Sequence, residues 1–150
     1  FVDLDNDGDE DILAEIGGAT PADSHAIRLF ENPGHSYDWI ALKLVGVKSN
    51  RTAIGARIKV TVADAAGGTR TIQRWVTSGG TFGASPLEQH IGLGKTARIQ
   101  DIEAWWPTSN TRQHFSAVEK NRAVEITELS PELRTIARPV VRLGGAKRTP

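Results

Sequence analysis

Asp3, Asp5, Asp7, Asp9 and Asp11 occupy every second position near the start of the chain, in the run DLDNDGDED, with Gly8 set among them. Carboxylates this dense repel one another unless a hard cation gathers them, and a glycine inside the run permits the tight turn that lets them converge. In the pattern D-x-D-x-D-G-x-x-D, carboxylates come from the first, third, fifth and ninth positions and a backbone carbonyl from the seventh. Those places are Asp3, Asp5, Asp7 and Asp11, with Asp9 offering its carbonyl. Such an all-oxygen set suits calcium, which takes about six to eight oxygens, better than magnesium, which keeps its waters. An EF-hand would close on a glutamate at the twelfth position and sit between helices. That position is Ala14, and the flanks Phe1-Val2 and Ile12-Leu13 read as short strands. A solvated acidic turn would not be expected to alternate around a glycine in this way.

Other chemistry is thinly represented. The chain has no cysteine, which removes disulfides, thiolate metal sites and cysteine nucleophiles. His25, His35, His90 and His114 are scattered, and no H-x-x-x-H pair, G-x-S-x-G elbow, phosphate loop or dinucleotide fingerprint is present. Gly92-Leu93-Gly94 is too short to cradle a phosphate and reads as a tight turn after a strand ending at Ile91. Asp101, Glu103, Glu88 and Glu125 offer carboxylates, but their spacing picks out no catalytic pair. The expectation is a protein that is not an enzyme.

Charge is balanced overall but unevenly placed. The first 11 residues hold six acids and no base, and residues 134–150 hold Arg134, Arg138, Arg142, Lys147 and Arg148 with no acid. No apolar run approaches the ~20 residues of a membrane span. The chain has no methionine and opens inside a motif, so it is expected to be a piece of a longer precursor with any targeting signal upstream.

Short strands must position these residues. Ile12–Glu15 and Ala26–Glu31 read as two strands joined by the loop Gly17–Ser24 and closed by the turn Asn32-Pro33-Gly34. Period-two alternation then marks Trp39–Val45, Ile58–Val62, Arg70–Thr77, Leu87–Ile91, Ile99–Trp106, Arg112–Phe115 and Ala123–Glu128. One helical turn is expected near Ala117–Asn121. The class is all-β: an antiparallel sandwich or partly closed barrel over residues 36–129, followed by a basic, partly disordered tail over 130–150.

Two resemblances rest on these segments. FVDLDNDGDEDIL followed by LFENPG resembles one FG-GAP/VCBS repeat, a calcium-bearing blade unit of β-propellers, over residues 1–35. WIALKLVGVKSNRTAIGARIKV (residues 39–60), the turn Ser78-Gly79-Gly80, HIGLG (90–94) and Trp106-Pro107 are similar to the ASPIC/UnbV domain, which follows such repeats in the cartilage acidic protein family and bacterial relatives. The resemblance implies a two-stranded propeller-blade remnant before the sandwich, a calcium ion as the only cofactor, and a secreted, surface or periplasmic protein. It also implies a binding or adhesion module whose partner is a protein or a glycan. A departure is Thr108-Ser109-Asn110, where the family commonly has Asp-Gly after Trp-Pro; a looser turn is expected there.

Candidate partner-binding residues are Asn50, Arg51, Trp75 and Trp105. Alternation places Ile102, Ala104 and Trp106 on the buried face and sends Trp105 outward, and Trp75 falls opposite Ile72 and Val76. Outward tryptophans serve as ligand platforms or interface anchors, or are covered by another part of the chain. Asn50 and Arg51 read either as a structural turn or as a recognition loop. Lys43, Lys48, Arg51, Arg57, Lys59, Arg70 and Arg74 raise an alternative, an RNA-associated protein with a basic stripe, although no RNP-type aromatic signature, KH loop or zinc knuckle supports it.

Overall fold

The structure, a computed structural model, describes residues 1–18, 22, 25–79, 86–96 and 98–143. Most of the Gly17–Ser24 loop, Gly80 of the glycine turn, and Lys147 and Arg148 of the tail lie outside the described residues. The described residues contain strands and turns and no helix. They fall into two units, one made of the described residues within 1–35 and 138–143, the other of those within 36–137.

The larger unit is a sandwich of two four-stranded sheets. Alternation of apolar residues drives it, because each strand then has one face to bury. One sheet holds β3 (Asp38–Val45), β6 (Gln89–Gly94), β9 (Ala123–Thr127) and β10 (Leu133–Ile136), in the order β10-β9-β3-β6. The other holds β4 (Arg57–Ala63), β5 (Thr69–Trp75), β7 (Arg98–Trp106) and β8 (Thr111–Ser116), in the order β5-β4-β7-β8. Ile40, Leu42, Ile91, Leu93 and Ile126 of the first sheet meet Ile58, Val60, Ile102, Trp106 and Phe115 of the second in one core. No barrel closes among the described residues.

The all-β sandwich expected from the sequence is present; one strand pairing and one further strand add to it, and two expectations, for Gly92-Leu93-Gly94 and Ala117–Asn121, are corrected. The first sheet is mixed, because β3 and β9 run parallel, with Ala41 opposite Ala123 and Val45 opposite Thr127. This brings the C-terminal ends of both strands together, and Glu128 N–H donates to the Val45 carbonyl at 2.9 Å. Gly92-Leu93-Gly94 is the end of β6 and not a turn: Leu93 continues the alternation begun at Ile91 and is fully buried. The stretch Ala117–Asn121 forms no helical turn, because Ala117 and Asn121 adopt φ of 56° and 59°, in the left-handed region. Finally, a strand that the sequence did not announce lies beyond Leu129. Leu133, packed on the core, pairs with Ile126 in β10, and residues 138–143 lie in the smaller unit.

In that smaller unit β1 (Ile12–Ala14) and β2 (Arg28–Phe30) pair antiparallel, Ile12 opposite Phe30 and Leu13 opposite Leu29. A bridge between Val2 and Asp11 closes the aspartate loop in front of them. Its N–H groups and carbonyls also hold the later segment: Val141 N–H donates to the Asp5 carbonyl at 2.7 Å, and the Asn6 amide to the Pro139 carbonyl at 3.1 Å.

Candidate metal loop and binding surfaces

The aspartate run curls because its own side chains catch the backbone ahead of them. Asp5 Oδ1 accepts the Asp7 N–H at 3.2 Å, Asp7 Oδ1 the Asp9 N–H at 2.9 Å, and Asp3 Oδ2 the Gly8 N–H at 3.2 Å. Gly8 sits at φ 101°, a conformation a side chain would resist. As a result, oxygens of Asp3, Asp5 and Asp7 lie within 4.8 Å of one another. Two oxygens on one calcium, each at about 2.3 to 2.6 Å, stand no more than about 5 Å apart. These three carboxylates therefore fit a single calcium ion.

The other two aspartates are placed differently. Asp11 is buried and lies outside the cluster, where its carboxylate accepts the N–H groups of Leu4 at 3.1 Å and Asn32 at 2.9 Å. It ties the start of the loop to the end of the β1–β2 hairpin. The Asp9 side chain lies against Gly34, so close that a Cβ there would come within 2.5 Å of its carboxylate.

In the sandwich, the segment after β3 is organised by a residue the sequence reading passed over. Glu128 Oε2 accepts three consecutive N–H groups, from Val47, Lys48 and Ser49, each at 2.7 Å. Oε1 accepts the Ser49 hydroxyl at 2.8 Å and the Ser109 hydroxyl at 2.5 Å. Burial pushes this carboxyl up, but the bonds from Ser109, Ser49 and Val47 outweigh it and bring its pKa down to about 2. Ser109 thus makes the Thr108-Ser109-Asn110 turn an anchored one. Gly46 completes the arrangement, because a Cβ there would stand 2.1 Å from the Asn50 carbonyl oxygen. Asn50 itself spans the next turn: its amide donates to the Ile54 carbonyl at 2.8 Å and accepts from the Ile54 N–H at 2.9 Å. The left-handed positions of this turn are Ala53 and Gly55.

The model for ASPIC and UnbV matches residues 46–132, from this grip to the turn before β10. The chain belongs to the ASPIC and UnbV family. No curated protein and no solved structure matches it. The structural unit, residues 36–137, is wider than the matched span, since β3 and β10 lie outside it.

Both outward tryptophans of this ASPIC/UnbV domain lie on one face, in one row across the sheet. Register places Trp75, Arg57, Trp105 and Arg112 side by side on β5, β4, β7 and β8. The guanidinium carbons of Arg57 and Arg112 stand 4.7 and 4.5 Å from the centroid of the Trp105 ring. Trp105 is therefore occupied by its neighbours, with its indole N–H buried and unpartnered. Trp75 is open, 53% exposed. In the next row Glu103 takes Lys59 at 2.8 Å and also pairs with Arg112. The Lys59 bond, against the effect of burial, and the Arg112 bond hold its carboxyl below the usual range. Arg57 entered the sequence reading only as one of the scattered bases and Arg112 not as a candidate at all, because only the strand register reveals which cations flank Trp105.

The remaining bases do not form one stripe. Lys43 lies on the outer face of the other sheet, opposite Glu125, and Arg70 donates to the Leu93 carbonyl. Arg51 lines a groove of about 480 Å³ over that sheet, with Lys43, Thr52, Leu87, Glu125 and Arg134. Burial would raise the Glu125 carboxyl, but Arg134 and Lys43 hold it low. Of the four carboxylates weighed for catalysis, Glu103 and Glu125 thus lie on opposite sheets and are each held by two cations. Asp101 faces His114 at 3.1 Å. Among the described residues no helix is long and apolar enough to cross a membrane.

Proposed function

We propose that this chain is a calcium-stabilised, non-catalytic binding module, in which residues 1–34 form an FG-GAP/VCBS-like loop and hairpin ahead of the ASPIC/UnbV domain. The observation that carries the calcium reading is the convergence of Asp3, Asp5 and Asp7 oxygens within 4.8 Å. Those three residues would hold the ion, and the sequence pattern adds the Asp9 carbonyl as a further oxygen donor. The ion supplies charge neutralisation and a fixed loop, not a reaction step. Support for the blade-like reading comes from the hairpin itself. Ile12 and Phe30 on one face, and Leu13 and Leu29 on the other, are all substantially exposed, as expected of strands made to be covered on both sides. The absence of catalysis is supported by Glu103 and Glu125, whose lowered pKa values suit ion pairing and not proton donation. Loops of this kind in secreted proteins bind calcium at ~0.1 to 1 mM, so the proposed role suits a protein that works outside the cytosol.

Isothermal titration of the metal-stripped chain with calcium tests this directly. One site is expected, lost in Asp5→Asn and retained in Glu88→Gln. A flat titration at millimolar calcium, or equal binding by Asp5→Asn, removes the calcium reading.

A further inference from the structure

The row Trp75–Arg57–Trp105–Arg112 combines an open aromatic face with a guanidinium held in place. The Trp75 side chain makes no hydrogen bond, ion pair or ring contact among the described residues and is 53% exposed. Arg57, one strand away, has no carboxylate partner among them, and its guanidinium rests 4.7 Å from the Trp105 centroid. Stacking on a ring occupies the flat side of a guanidinium and leaves its in-plane N–H groups free for a carboxylate, which they match as a fork. Three cations, Arg57, Lys59 and Arg112, crowd this part of the face against the single carboxylate of Glu103, while Asp101 one row on is engaged by His114. The surplus is positive.

Neighbouring strands lie about 4.8 Å apart, so Trp75 and Arg57 present a flat apolar surface and a carboxylate fork one strand spacing from each other. A uronic acid matches both at once. The C–H face of its pyranose ring would lie on the Trp75 indole, and its carboxylate, one bond off that ring, would reach Arg57. We propose that this face binds uronate-containing glycans, with Trp75 as the stacking platform, Arg57 as the carboxylate receptor, and Trp105 as the positioning residue that holds Arg57 flat. A nucleic acid fits less well. Trp105, with guanidinium groups from both flanking strands, leaves no second ring for successive bases, and Glu103 and Asp101 interrupt a phosphate track along the strands.

The proposal names a ligand for the binding-module reading and is independent of the calcium loop. Its test is titration calorimetry of the intact chain with trigalacturonate, with its methyl ester (same rings, no charge) and with poly(U), each alongside a thermal melt. Trigalacturonate should bind, the ester should bind at least tenfold more weakly, and Trp75→Ala and Arg57→Gln should each lose about tenfold or more in affinity. Arg57→Lys, which keeps the charge but not the fork, should recover only part. Arg74→Gln, on the opposite side of β5, should bind as the parent chain does, and the melts of Trp75→Ala and Arg57→Lys should stay close to the parent value. Equal binding of acid and ester, no binding of trigalacturonate, undiminished binding by Trp75→Ala, or a preference for poly(U) that these variants abolish would each overturn it. If calcium stabilises the chain and trigalacturonate does not bind, only this inference falls; the reverse result removes only the calcium reading.

Discussion

Glu128 is almost fully buried yet ionised, because three backbone N–H groups and two hydroxyls converge on it. With a folded pKa of about 2 against an ordinary 4.5, it contributes stability that is fully present above pH 4.5 and is lost as the pH falls towards 2. After allowance for solvent screening, the contribution is on the order of 2 kcal/mol. Acid unfolding of the parent chain should therefore steepen between pH 4.5 and 2. Glu128→Gln, followed by urea melts across that range, should be less stable at neutral pH and lack this part of the slope. Adjacent tryptophans give a second contrast. Trp106 Nε1 donates to Gln113 Oε1 at 2.6 Å, and Gln113 in turn donates to the carbonyls of Thr127 and Ser130 at 3.1 and 2.7 Å. Trp106→Phe removes that donor and leaves a cavity, so a loss of about 2 to 4 kcal/mol is expected. Trp105→Phe removes an N–H that has no acceptor and should cost under about 1 kcal/mol in the same melt.

Strands with strict alternation were legible before the structure, because period two is a local property: β3, β4, β7 and β9 fall within one or two residues of expectation. What was not legible depends on a partner. β10 carries only Leu133 and Ile136 as apolar residues, too few to announce a strand, and it exists because β9 offers an edge to pair with. In the same way, β6 includes two glycines that look like a turn until the core receives Leu93 between them. Of the aspartate run, the close spacing of Asp3, Asp5 and Asp7 was readable, while Asp11 was drawn to the hairpin by the Asn32 N–H, a contact 21 residues distant in sequence. A prediction follows for β10. A chain ending at Leu129 loses that strand and should melt lower by several degrees, whereas one ending at Ala137 keeps the sandwich intact and should show an unchanged transition for that unit.

At the scale of the molecule, the two units should respond differently to metal. Calcium at ten times its dissociation constant adds about 1.4 kcal/mol to whatever it binds. Hydrogen exchange in calcium and in EDTA should differ at residues 2–11, and also at Val141, whose N–H rests on the Asp5 carbonyl, while β3, β4 and β7 stay unchanged. Uniform slowing over all strands would contradict that division. The parallel pairing of β3 with β9 also bears on how the chain is made. During vectorial synthesis β4, β5, β7 and β8 are all available once Ser116 has emerged, and their sheet needs nothing later. β3, made before any of them, can pair with β6 on one edge but keeps the other edge open until Thr127 clears the ribosome and β9 can add to it. That interval, when an apolar strand has its edge bare, is when the nascent chain is most exposed to aggregation and most in need of a chaperone.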